Sequence, residues 1–224
     1  LAEISLSPLL VGSDGALAVR ARVRLSLAAP AGALNFAIRP YPSQLAETLP
    51  WLGRPLTLRP IRPEDEAQHM VFLSQLTPED VRMRVFYSRR GIERSELARL
   101  TQIDYAREMA FIAADIGPDG TERTLGVVRA IADPDNASAE FGIVIRSDMK
   151  GQKLGPLLMQ RIIDYQRSRG TAKLVATVLA ENTRMLALAM RLGATLDREI
   201  EFLGYSAENY VKLAARHRAA SRTL

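Results

Sequence analysis

The stretch AEFGIVIRSDMKGQKLGPLLMQRIIDYQRSRG, Ala139 to Gly170, decides the fold. Its first seven residues alternate as a strand does, with Glu140, Gly142 and Val144 on one face and Phe141, Ile143 and Ile145 on the other. A basic, glycine-containing loop follows. It runs straight into an amphipathic helix, expected over Gly155 to Arg169, whose Leu158, Ile162 and Tyr165 fall three or four apart. In that order the backbone amides of Gly151, Gln152, Lys153, Leu154 and Gly155 converge at a helix start, where free N–H groups and the helix dipole attract an anion. Pro156 donates no amide but suits a first helical turn, and Lys150 and Lys153 add positive charge. The spacing fits neither GxxxxGKS/T nor GxGxxG, so the expected ligand is a phosphate-bearing molecule held in some other way.

The flanking sequence extends this unit into one α/β domain. Before it come an expected strand at Leu56 to Ile61, a helix opened by Pro63, Glu64 and Asp65, a short helix from Pro78, and a third over Glu93 to Leu100. Strands at Met109 to Ile116 and Thr124 to Ala132 then lead into the strand at Ala139. After it come a strand at Lys173 to Leu179, a helix at Asn182 to Leu192, and two weak strands at Thr195 to Ile200 and Asn209 to Ala214. The expectation is an α/β fold, a mixed central sheet with flanking helices, over residues 57–215. Residues 1–35 read as a separate hairpin turning at Gly12 to Gly15, residues 36–56 as a proline-containing linker, and residues 216–224 as a basic tail. A start at Leu1 rather than methionine reads as part of something longer.

Composition excludes whole classes of chemistry. The 224 residues contain no cysteine, so thiolate nucleophiles, disulfides and iron–sulfur ligation are out, and with only His69 and His217 no metal site is expected. Net charge is +5, and of 30 basic residues only Lys150, Lys153, Lys173 and Lys212 are lysines. These charges are dispersed and lack an aromatic platform, so nucleic acid is not an expected partner. No apolar run reaches bilayer-spanning length and no basic region precedes an apolar start, which points to a cytoplasmic chain with no membrane partner.

The loop sequence also resembles a known family. Acetyl-CoA-dependent N-acetyltransferases of the GNAT type carry Arg/Gln-x-x-Gly-x-Gly/Ala at this place, which puts Lys150 at the first position, Lys153 at the first glycine and Gly155 at the second. LAENTRMLALAMRLGA, Leu179 to Ala194, resembles the family's next helix motif, with Asn182 at the asparagine, Leu192 and Gly193 at the helix end, and Ala189 where many members place a tyrosine acid. Blocks such as FAIRPYP, LTLRPIRPEDE, LSQLTPEDVRMRVF, LARLTQIDYAREMAFIA and ADPDNASAEFGIVI, in order from Phe36 to Ile145, are similar to the carboxy-terminal domain of the bacterial Pat lysine acetyltransferases. The opening hairpin resembles the last strands of that family's ATP-grasp part, with Ser7 where asparagine is usual.

The resemblance implies a GNAT acyl-CoA N-acyltransferase fold, acetyl-CoA as cosubstrate without a metal, and a protein acceptor. That acceptor would be a lysine of an AMP-forming acyl-CoA synthetase, which acetylation would inactivate. It assigns Glu140 as catalytic base, although pairing of Glu140 with an arginine at the sheet edge explains the residue as well. It implies a splayed sheet in which Phe141, Ile143, Val144 and Ile145 offer main-chain groups to pantetheine, with Lys150 to Pro156 on the diphosphate. Asn182 is either a cofactor contact or an N-cap. Asp104 and Tyr105 line the acceptor side or simply form a loop. Arg82, Arg84, Arg89 and Arg90 either receive an acidic protein surface or lie on a solvated helix face. The fragment is expected to be a monomer. A small-amine acetyltransferase and a non-catalytic acyl-CoA sensor are the competing functions.

Overall fold

The computed structural model describes residues 3–13, 15–25, 39–85, 93–197 and 210–216. It divides into two units, Leu1–Pro40 and Tyr41–Leu224.

The first unit is one long hairpin. Strands β1 (Glu3–Leu6) and β4 (Ala21–Arg24) pair antiparallel, as do β2 (Leu9–Gly12) and β3 (Gly15–Ala18). Glu3 opposite Arg24 and Leu9 opposite Ala18 belong to a single register. The ladder is carried past Pro8 by the amides of Ser7 and Val19, which bond the Arg20 and Pro8 carbonyls at 3.0 Å. Every described residue in these strands is exposed.

The second unit is built on an eight-stranded mixed sheet in the order β11-β12-β10-β9-β8-β7-β6-β5. Its strands are β5 (Glu47–Trp51), β6 (Arg54–Pro60), β7 (Glu108–Ile116), β8 (Glu122–Ala132), β9 (Ser138–Ile145), β10 (Lys173–Leu179), β11 (Thr195–Asp197) and β12 (Tyr210–Arg216). Only β9 and β10 run parallel; every other neighbouring pair is antiparallel. The helices are α1 (Glu66–Ser74), α2 (Pro78–Val85), α3 (Arg94–Thr101), α4 (Leu154–Ser168) and α5 (Thr183–Arg191). The α/β class and the mixed sheet with flanking helices expected above are observed.

Period-two alternation makes two cores from one sheet. On one face Met109, Phe111 and Ala113 of β7 and Phe141 of β9 pack with Leu158 and Ile162 of α4. On the other, Ala110, Ile112 and Ala114 pack with Ile61, Phe72 of α1 and Val127. At about 25 cal/mol per Å² of apolar area, burial on both faces makes β7 a main contributor to stability.

The structure corrects the expected boundaries of the domain. Residues 36–56 were read as a linker, but Ser43–Leu45 forms a 3₁₀ turn and Glu47–Trp51 is the edge strand of the main sheet. The prolines that suggested a linker are compatible with an edge strand, where one side needs no donor. The compact unit therefore begins at Tyr41 rather than near Thr57. Arg216, expected in a tail, closes β12 opposite Lys173, while the rest of that stretch lies outside the described residues.

Candidate active site

The parallel ladder between β9 and β10 is short. It pairs Ser138 with Lys173, Ala139 with Leu174 and Glu140 with Val175, and then stops. Beyond Glu140 the two strands part, although β9 continues to Ile145 on the ladder of β8, where Gly126 faces Ile145. The β10-facing main-chain groups of Phe141 to Ile145 therefore border a wedge-shaped gap with its apex at Glu140. Backbone groups left open in this way need a partner, and an extended polyamide has the right spacing to supply one. Phe141, Ile143 and Ile145 turn their side chains to the α4 core and Val144 turns to the α1 core, so what the four share along the gap is main chain.

The wide end of the wedge opens at the loop between β9 and α4. Gly151 and Lys153 both have left-handed backbones, φ 78° and 66°, and Lys153 is the N-cap residue of α4. This explains why a glycine suits position 153: lysine holds there a conformation that costs an L-residue about 1–2 kcal/mol. The amides of Lys153, Leu154 and Gly155 donate to no acceptor among the described residues. Pro156 sits in the first turn, and Gly155 leaves its helix surface 3.4 Å from Leu188 Cδ2 of α5 by the measure of an added Cβ. The Gln152 carbonyl accepts a 2.9 Å bond from Trp51 Nε1.

Lys150 is held from the other side. Its ammonium is ion-paired with Asp80 of α2, a buried carboxylate that also accepts from Ser147 Oγ at 2.5 Å. Ser147 Oγ in turn accepts from the Thr77 amide at 2.9 Å. Desolvation alone would raise the Asp80 carboxyl, but the hydrogen bonds from Lys150, Ser147 and Thr77 outweigh it and hold the group below the usual carboxylate range. Asp80 thus ties α2 to the loop. The sequence reading missed it because its partners lie about seventy residues away; the TPED start of α2 signalled only a helix N-terminus.

At the apex, the Glu140 side chain is exposed. On the same face, two residues along β9, Gly142 gives its side-chain space to Arg84 of α2: an ideal Cβ on Gly142 would lie 2.5 Å from Arg84 Cζ. Arg84 is solvent-exposed, with its guanidinium lying over the β9 backbone at Gly142. Desolvation by the neighbouring protein lowers its pKa, and the attraction of Glu140 opposes that shift. Opposite Gly142 on β8 is Arg129, buried and bonded to Glu108 and to the Leu100 carbonyl. Burial, with Arg84 and Arg99 nearby, brings Arg129 down to about 10. One face of the apex is therefore a carboxylate beside crowded guanidinium groups.

The remaining expected residues fall elsewhere. Arg82 pairs with Glu181, which follows β10, so α2 is linked to both walls of the wedge. Arg89 and Arg90 lie outside the described residues. Asn182 caps α5, its side-chain oxygen accepting from the Met185 amide at 3.2 Å. Asp104 closes the turn before β7 by accepting from the Ala106 amide at 2.9 Å. Tyr105 donates to the Ile61 carbonyl at 2.6 Å and packs edge-on against Tyr41. Burial pushes the Tyr105 phenol up to about 12. Both Asp104 and Tyr105 are thus engaged in holding the turn. Ala189 is buried in the α4 core and lines a small apolar pocket with Phe141, Met159 and Leu192, with no acid in its place. Among the described residues no group of histidine, aspartate and glutamate could hold a metal, and no helix is long and apolar enough to cross a membrane.

The sequence model of the acetyltransferase (GNAT) domain matches residues 55–195. The chain is 30% identical over 147 residues to the acetyltransferase PA5475 of Pseudomonas aeruginosa, covering 66% of this chain and 78% of that protein. It is 30% identical over 147 residues to the acetyltransferase Pat of Mycolicibacterium smegmatis, covering 63% of this chain but only 42% of that protein. Its fold matches the GNAT domain of S. lividans PAT with a TM-score of 0.69 at 22% identity, over 80% of this chain and all of the other. No comparison points to an ATP-grasp remnant in the opening hairpin. The family match spans the wedge, the loop and α5 together, and the chain belongs to the GNAT family of acetyl-CoA-dependent acetyltransferases, related to its Pat-type members.

Proposed function

We propose that this protein transfers the acetyl group of acetyl-CoA to a lysine ε-amine of a folded protein, an AMP-forming acyl-CoA synthetase. The observation that carries the reading is the wedge between β9 and β10, with Glu140 at its apex and the α4 start at its mouth. The resemblance of the sequence blocks from Phe36 to Ile145 to the Pat lysine acetyltransferases supports the choice of acceptor.

In this reading the amides of Lys153, Leu154 and Gly155 bind the diphosphate, and main-chain groups of Phe141 to Ile145 align the pantetheine arm. A β9 amide donates to the thioester oxygen as the amine adds to the carbonyl carbon. A lysine ammonium with a pKa near 10.4 must lose a proton before it can attack, and Glu140 accepts that proton directly or through water. Collapse of the tetrahedral adduct breaks the carbon–sulfur bond and forms the amide, whose nitrogen gives up its second proton to water. With Ala189 in place of an acid, the thiol departs as thiolate, which a pKa near 8.5 tolerates.

The test is incubation with labelled acetyl-CoA and candidate AMP-forming acyl-CoA synthetases, followed by peptide mass analysis. Label on one synthetase lysine, with loss of adenylation activity, supports the reading. Label on free polyamines or amino acids alone would move the assignment to a small-amine enzyme, and binding of acetyl-CoA without turnover would make it a sensor.

A further inference from the structure

We propose that Trp51 is a positioning residue for the diphosphate of acetyl-CoA. Together with residues 43–51 it braces the binding loop and α4 from a segment that precedes the family match at residue 55. The inference rests on reading Lys150 to Pro156 as the diphosphate site.

The indole Nε1 donates to the Gln152 carbonyl at 2.9 Å, joining residues 101 positions apart. A trans peptide holds its C=O and the following N–H on opposite sides. Fixing the Gln152 carbonyl from the buried side therefore aims the Lys153 N–H away from the core, toward the place an anion would occupy. The constraint matters because Gly151 and Lys153, on either side of Gln152, are both left-handed. Without it, the strained Lys153 backbone could relax by rotating the peptide and withdrawing that donor.

Trp51 is itself fixed. It is 7% exposed and ends β5 at a two-residue turn whose residues, Leu52 and Gly53, both have positive φ, 49° and 78°. Arg54 lies over its ring with Cζ 4.9 Å from the centroid, and is paired in turn with Asp115 at 3.0 Å. The same segment grips the side of α4, where Arg161 donates to the Leu45 carbonyl at 2.5 Å and pairs with Glu47 at 3.4 Å. The loop and the helix it begins are thereby registered against one edge hairpin.

The experiment removes the N–H and keeps the ring. Trp51→Phe is one variant. Because Trp51 is the only tryptophan in the chain, biosynthetic replacement by benzothienylalanine gives a near-isosteric second variant with sulfur in place of N–H. Calorimetry measures the affinity for coenzyme A. Competition against coenzyme A measures the two halves of the ligand, adenosine 3′-phosphate 5′-diphosphate and pantetheine. Loss of one positioning hydrogen bond should weaken coenzyme A and the diphosphate half by the same factor, about 3- to 10-fold, and leave pantetheine unchanged. In turnover, the KM for acetyl-CoA should rise while kcat stays within about twofold. Equal losses for both halves would reduce Trp51 to general packing. Unchanged affinities in both variants, with wild type still holding the diphosphate half, would overturn the proposal and spare the loop assignment. A wild-type protein that ignores the diphosphate half would overturn both.

Discussion

Glu140 and Val175 form the last rung of the parallel ladder, so the proposed base stands at the point where β9 and β10 part. A group there faces whatever enters the gap but contributes nothing to holding its main-chain walls. Glu140→Gln should therefore lower kcat by about 10²-fold or more while coenzyme A affinity stays near wild type. Steady-state kinetics and calorimetry check it, and parallel losses of affinity and turnover would mark a structural carboxylate instead.

Lys153 carries the strain of the loop. Lys153→Gly relieves a left-handed backbone at the cost of extra unfolded-state freedom, for a net gain of about 1 kcal/mol or less, whereas Lys153→Ala keeps the strain and gains nothing. Urea denaturation of the two variants separates them, since both lose the same charge.

Arg84 and Gly142 should act as one unit. Adding a methyl at position 142 displaces the guanidinium, a flexible side-chain end that can move aside. If Arg84 receives an acidic group of the acceptor protein, Gly142→Ala and Arg84→Gln should each raise the acceptor KM several-fold at low salt. The double variant should be no worse than Arg84→Gln. Full additivity in a double-mutant cycle would separate the two residues.

His69 gives the fold a pH limit. Its imidazole is buried on α1, Nδ1 has no hydrogen-bond partner among the described residues, and burial together with Arg129 pushes its pKa down to about 4. The unfolded chain takes up this proton near pH 6.5, the folded chain only near pH 4. Stability is thus full above about 6.5 and falls as pH drops between these values, by about 3 kcal/mol in total. Denaturation midpoints from pH 7 to 5, above the range where carboxylates titrate, should fall in wild type and stay flat in His69→Gln.

Much of this arrangement was legible in the sequence. The continuous apolar runs of β7 and β8 between turn signals read as strands, and the loop before α4 announces itself by Gly151, Gly155 and Pro156. What escaped is long-range or inverted in sign. Trp51 sits among prolines that read as linker, because an edge strand tolerates them. The sequence leaves Arg84 between a contact for an acidic protein surface and a solvated helix face. Its position over β9 depends on an absent side chain at Gly142, on a strand far along the chain. Asn182 and Tyr105 show the reverse: their polar groups, candidates for ligands, cap a helix and anchor a turn.

The parting of β9 and β10 also places two unpaired strand edges inside a sheet, the kind of surface on which unrelated chains stack and aggregate. The Arg82–Glu181 pair links α2 to the turn that follows β10. An extended polyamide seated in the gap would pair with those edges and cover them. In the proposed reading the bound cosubstrate would therefore also shield the sheet from pairing with another chain, and the empty protein would be the form more prone to self-association.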